Sequence, residues 1–119
     1  MLAATGRKLT KDEMSTNRKG DFAEMYAVTW LWDQGYEAFR NYGSDGPVDI
    51  IVWDKKTGEF ILVDVKTGGP QLKYKPINGK EGNYTDLTKR RTEEQKQLGV
   101  QLLGFNPVTR KSWWVEHSE

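Results

Sequence analysis

The chain has no cysteine and one histidine among its 119 residues. Without thiols there is no disulfide framework and no thiolate metal centre. The one imidazole, His117, lies in the C-terminal tail. It supports neither a histidine-ligated metal nor a histidine base, and is expected to be inert. No apolar run is long enough to span a membrane, and Met1 to Arg7 lacks the apolar core of a signal peptide. The expectation is a cytoplasmic, intracellular protein with no membrane partner, large enough for one core. Eighteen Lys and Arg against 17 Asp and Glu leave a net charge of +1, which excludes a strong electrostatic bias of the whole chain.

What is present is concentrated between Val48 and Lys66. Two apolar, β-branched runs, Val48-Asp49-Ile50-Ile51-Val52-Trp53 and Phe60-Ile61-Leu62-Val63-Asp64-Val65-Lys66, flank Asp54-Lys55-Lys56-Thr57-Gly58. This spacing predicts a hairpin. Residues two apart share a strand face. Phe60, Leu62, Asp64 and Lys66 therefore form one face, and Ile61, Val63 and Val65 the other. Each run carries a carboxylate where a core strand carries an apolar residue. Charges near a core are costly unless something compensates them.

Around this hairpin, residues 1–15 read as a flexible basic arm and 16–119 as the folded domain. Ser15, Thr16 or Asn17 can cap a helix running to about Gln34 and stopped by Gly35. Gly20, Glu24, Ala27, Val28 and Leu31 fall on its core-facing stripe, with Phe22, Tyr26 and Trp30 widening it. Tyr36 to Arg40 reads as a first strand and Asn41 to Pro47 as a loop. Gly68-Gly69-Pro70 is expected to end the third strand abruptly, leaving a long basic loop to about residue 84. A second helix ends at Gly99. It starts near Thr85, or as late as Thr92, where Thr92 and Gln95 can form a capping box. Val100 to Phe105 and Ser112 to Val115 complete a five-stranded pattern. Trp113 and Trp114, being adjacent, face opposite ways. The order of elements predicts an α/β fold with a central mixed β-sheet flanked by helices.

Asp49, Asp64 and Lys66, with Glu24 upstream, match the pattern Asp-x(n)-(Asp/Glu)-x-Lys. A hard divalent ion such as Mg2+ or Mn2+ takes a few carboxylates, a carbonyl and waters. Glu24, Asp49, Asp64 and the Val65 carbonyl can supply them. Such an ion polarises a phosphate and activates a water, and Lys66 can orient that water or offset charge on the phosphorane. The competing reading makes Asp49 and Asp64 structural acids paired with Lys66 and Arg40. Basic residues cluster in two regions, around Arg7 to Lys19 and Lys73 to Arg91, the second interleaved with Tyr74, Asn83 and Tyr84. That pattern suits a phosphate-rich partner.

The run Lys19-Gly20-x-x-x-Glu24, Leu31, Gly35-Tyr36, Arg40, Gly43-Ser44, Asp49-Ile50 and Asp64-Val65-Lys66 resembles the PD-(D/E)XK nuclease superfamily. Within it, the chain is similar to archaeal-type Holliday junction resolvases. The resemblance covers about Lys19 to Thr67 and, more loosely, the second helix with Gln95. It implies a restriction-endonuclease-like fold and a Mg2+-dependent DNA endonuclease, structure-selective on branched DNA, acting as a homodimer or higher oligomer at the nucleoid. Glu24, Asp49, Asp64 and Lys66 would be the catalytic set, with Ser44 near the scissile phosphate. Arg18, Lys19, Arg40, Lys73, Lys75, Lys80, Lys89, Arg90 and Arg91 would contact DNA. The segment 67–91 is longer and more basic than that pattern, which keeps open a duplex-cutting or nicking enzyme of homing, repair or phage type. A catalytically silent DNA-binding module is the reading from another class.

Overall fold

The computed structural model describes residues 16–43, 45–73, 84–85 and 87–118. The proposed arm 1–15 and most of the basic loop lie outside them. Helix α1 spans Thr16–Asp33 and is followed by β1 (Tyr36–Arg40), β2 (Ile50–Asp54), β3 (Phe60–Thr67), β4 (Gly69–Lys73), β5 (Tyr84–Thr85), α2 (Glu93–Leu98), β6 (Gln101–Asn106) and β7 (Lys111–Trp114). Five strands form one mixed sheet in the order β1-β2-β3-β6-β7. Only the β3–β6 pair is parallel among them, with Asp64 opposite Leu102 and Lys66 opposite Gly104. The expected α/β architecture is the observed one.

The predicted hairpin forms as read, Trp53 pairing with Phe60. Its turn closes through the Gly58 N–H on the Asp54 carbonyl at 2.7 Å, with Gly58 at φ 77°, a left-handed conformation that glycine adopts without strain. The alternation along β3 divides the sheet into two faces. Ile61, Val63 and Val65 pack with Ala27 and Leu31 of α1, and with Ile50, Val52 and Leu103, in the main core. Leu102, Leu87, Val115 and Trp113 make a second cluster. The two adjacent tryptophans serve one cluster each: Trp114 lies edge-on to Trp30 and Tyr36, at 6.0 and 6.3 Å.

Several boundaries differ from the sequence expectation. On α1, Ala23, Ala27 and Leu31 are buried whereas Gly20 is exposed, so the stripe begins one turn later than its spacing suggested. Gly68-Gly69-Pro70 does not end the extended chain. The Gly68 N–H still reaches the Phe105 carbonyl at 3.0 Å, and β4 follows at once, pairing with β5 in a separate two-stranded sheet. Proline is tolerated there because each strand of a two-stranded sheet has an open edge needing no donor. The second helix starts late, because Thr85 belongs to β5 and the Thr92–Gln95 capping box is fully formed. Nor is His117 idle, since its Nε2 accepts the Leu102 N–H at 3.2 Å and ties the tail to β6.

Candidate active site

Four elements deliver the predicted acids and bases to one end of the sheet. Asp49 stands immediately before β2, its N–H donating to the Val63 carbonyl at 2.8 Å. Its Oδ2 accepts the Val65 N–H, also at 2.8 Å, so the carboxylate lies across the β2–β3 seam. Asp64 follows the apolar Val63 and is buried at 6% exposure. Lys66, two residues on and so on the same face, brings Nζ to 3.2 Å from Asp64 Oδ2. From α1, Glu24 inserts a half-buried carboxylate whose Oε2 lies 3.5 Å from Arg40 Nη2, at the end of β1. Arg40 also meets Asp21 at 3.3 Å.

The electrostatics record how closely these groups are packed. Burial pushes the Asp49 carboxyl up from 3.8 to about 7. A hydrogen bond with Asp64 and the charges of Asp64 and Glu24 add to the rise, and the Val65 N–H opposes it. Glu24 is also raised, chiefly by burial and further by Asp21 and Asp64, against the lowering effect of Arg40. Two buried oxygens, Glu24 Oε1 and Asp64 Oδ2, make no hydrogen bond; the Lys66 contact to the latter lies outside hydrogen-bond geometry. An unsatisfied buried acceptor carries a desolvation cost of roughly 1–3 kcal/mol, more if charged. Among the described residues, no group of three or more His, Cys, Asp or Glu is gathered tightly enough to hold a metal ion. The arrangement is thus a carboxylate pair, Asp49 and Asp64, with Glu24 in electrostatic range.

Of the remaining predicted residues, Arg18 is exposed in the first turns of α1, and Lys89 and Arg90 are exposed ahead of α2. Arg91 is half-buried and directs Nη1 to the Val100 carbonyl at 3.3 Å. Ser44, Lys75 and Lys80 lie outside the described residues, as do the side chains of Lys19 and Lys73. Two polar residues hold the Asp49 loop, and sequence reasoning read Asn41 only as part of a loop. The Asn41 side chain donates to the Asp45 and Val48 carbonyls at 2.7 and 2.9 Å. Gln95 Nε2 donates to the Pro47 carbonyl at 3.0 Å. The capping-box spacing and the resemblance both drew attention to Gln95, but neither pointed to Pro47.

No protein-family model matches the chain, and no curated protein matches its sequence. Among solved structures, a bacterial homing endonuclease, I-Ssp6803I, superposes with a TM-score of 0.60 over 85% of this chain and 68% of its own, at 20% identity. The fold is nuclease-like. What the two share is the fold, a mixed five-stranded sheet with flanking helices.

Proposed function

We propose that the chain is a DNA endonuclease that hydrolyses phosphodiester bonds at the Asp49–Asp64–Lys66 strand end. The observation that carries this reading is the convergence there of two carboxylates from adjacent strands beside a lysine, with a third from α1 in range. A structural set of acids would be expected to satisfy its buried oxygens, whereas Asp64 Oδ2 and Glu24 Oε1 are left without a hydrogen bond.

The donor set fits a hard divalent cation such as Mg2+ or Mn2+. Such an ion keeps several waters and takes only one or two protein carboxylates. Asp49, Asp64 and the Val65 carbonyl would hold it, with Glu24 acting through water. Bound there, the ion would polarise the scissile phosphate and lower the pKa of an attacking water. The chain's own residues supply the rest. Burial keeps Asp64 from bulk water, and the Val65 N–H fixes Asp49. Lys66 orients the attacking water or neutralises charge as the phosphorane forms. Attack at phosphorus with departure of the 3′ oxygen gives a 5′-phosphate and a 3′-hydroxyl. Arg40, half-exposed beside Glu24, can exchange its carboxylate partners for a backbone phosphate. Ser44 near the scissile phosphate, and Arg18, Lys19, Lys73, Lys75, Lys80, Lys89, Arg90 and Arg91 along the duplex, complete the proposed contacts. A homodimer would present one such site to each strand.

Two substrate classes compete within this reading. The motif pattern favours branched DNA, whereas likeness to a homing endonuclease favours cutting of duplex. Labelled four-way junction and linear duplex of matched sequence, incubated with Mg2+ or Mn2+, separate them. Symmetric paired nicks on the junction alone mark a resolvase. Cutting of linear DNA marks the duplex enzyme. Binding of DNA without cleavage of either substrate would replace both with the silent DNA-binding module.

A further inference from the structure

Gln95 is 4% exposed, and both polar atoms of its side-chain amide are hydrogen-bonded. Its Oε1 accepts the Thr92 N–H at 3.0 Å, while the Gln95 N–H donates to Thr92 Oγ1 at 3.1 Å, which closes the capping box of α2. That motif accounts for the oxygen alone and would be served equally by glutamate. The nitrogen does something else. Nε2 reaches 48 positions back along the chain to the Pro47 carbonyl. Pro47 has no N–H of its own and stands two residues before Asp49.

The surrounding bonds show what this contact completes. The Val48 carbonyl accepts from the Asn41 side chain at 2.9 Å, and the Asp49 carbonyl from the Asn41 N–H at 2.8 Å. Three consecutive carbonyls, those of Pro47, Val48 and Asp49, are therefore each held. Asn41, at the exit of β1, holds two of them, and Gln95 holds the third from α2. The loop turns at Gly46, at φ 96°, a conformation that glycine adopts without strain. Pinned from both sides, it delivers the Asp49 carboxylate to the Val65 N–H.

We infer that Gln95 is a positioning residue for Asp49, acting through the Pro47 carbonyl to hold that carboxylate on β3. This rests on the endonuclease reading only for its consequence in cleavage; the placement of Asp49 can be read without it. A misplacement of about 1 Å at a reacting group can cost on the order of 100-fold in rate.

The test compares Gln95→Glu with Thr92→Ala in the full chain. The first keeps an oxygen for the cap and removes the donor to Pro47. The second weakens the cap and leaves the donor. Hydrogen exchange of the Val65 amide, followed by NMR, reports whether Asp49 still accepts from it. Gln95→Glu should accelerate that exchange at least about tenfold. It should also lower kcat for DNA cleavage roughly 10- to 100-fold, with KM changed far less. Thr92→Ala should leave both near wild type. Unchanged Val65 exchange in Gln95→Glu would overturn the inference, and so would equal effects of the two substitutions. If Gln95→Glu does not fold, Gln95→Met, of similar volume and uncharged, takes its place with the same expected outcomes. Should the wild-type chain cut no DNA, the endonuclease reading fails while the Val65 amide still decides the role of Gln95. With an active wild type, faster exchange without loss of cleavage would also overturn it.

Discussion

The Asp49 carboxylate accepts the Val65 N–H at 2.8 Å, across the seam between the second and third strands. The bond places two acids from different strands side by side, since Asp64 directly precedes Val65. Burial at this seam raises Asp49 to about 7, with Asp64 and Glu24 adding to the rise and the Val65 N–H opposing it. Geometry and titration therefore have one cause.

That cause has a sign. Between its ordinary 3.8 and about 7, the Asp49 carboxyl holds more protons in the folded chain than in the unfolded one. Its contribution to stability is therefore fully present below about pH 4 and is lost as pH rises through about 7. Glu24, also raised, works in the same direction. Thermal unfolding without divalent ions should show a melting temperature lower at pH 8 than at pH 5, by on the order of 5 °C. Asp49→Asn should flatten that dependence. A stability that rises over the same interval would contradict the crowding of these acids.

Divalent ions should reverse the loss. A cation that binds only the folded chain raises its stability by mass action. Above pH 7, where Asp49 is ionised, millimolar Mg2+ or Mn2+ should raise the melting temperature by a few degrees. The gain should shrink at pH 5 and disappear in Asp64→Asn. An equal gain in wild type and Asp64→Asn would locate the ion elsewhere.

Two glycines border the site, with different tolerances. A Cβ at Gly104, opposite Lys66 in the parallel pair, would stand 2.5 Å from the Trp113 ring. A Cβ at Gly68 would meet Leu87 side-chain atoms at 2.9 Å. A leucine can change rotamer, whereas an indole wedged against a sheet cannot easily do so. Gly104→Ala should cost about 2–3 kcal/mol in urea unfolding, and Gly68→Ala distinctly less. Equal costs would show that Trp113 moves freely.

Much of this was legible in the sequence because it is local. Period-two alternation placed Asp64 and Lys66 on one face of a strand, and Gly35, Gly58 and Gly99 marked turns where they occur. Thr92 and Gln95 announced the helix start through their spacing. What escaped was decided by partners distant in the chain. The local signal of Gly68-Gly69-Pro70 is a stop, yet the Phe105 carbonyl still holds the Gly68 N–H and the chain runs on into β4. Nothing around His117 foretells that it accepts from Leu102, nor anything near Gln95 that its amide reaches Pro47. The opposing signs at Glu24 and Arg40 were visible, but not that one Glu24 oxygen would be buried without a hydrogen bond.

The most direct measurement is single-turnover cleavage of labelled DNA by the wild-type chain, Asp64→Asn and Lys66→Ala, with DNA binding followed in parallel. Wild type should cut in Mg2+ or Mn2+ and stop when the ion is chelated. Both variants should bind DNA as wild type does and cut at least about 100-fold more slowly. Cleavage by Asp64→Asn at the wild-type rate would place the chemistry elsewhere, and wild-type binding without any cleavage would remove the endonuclease reading altogether.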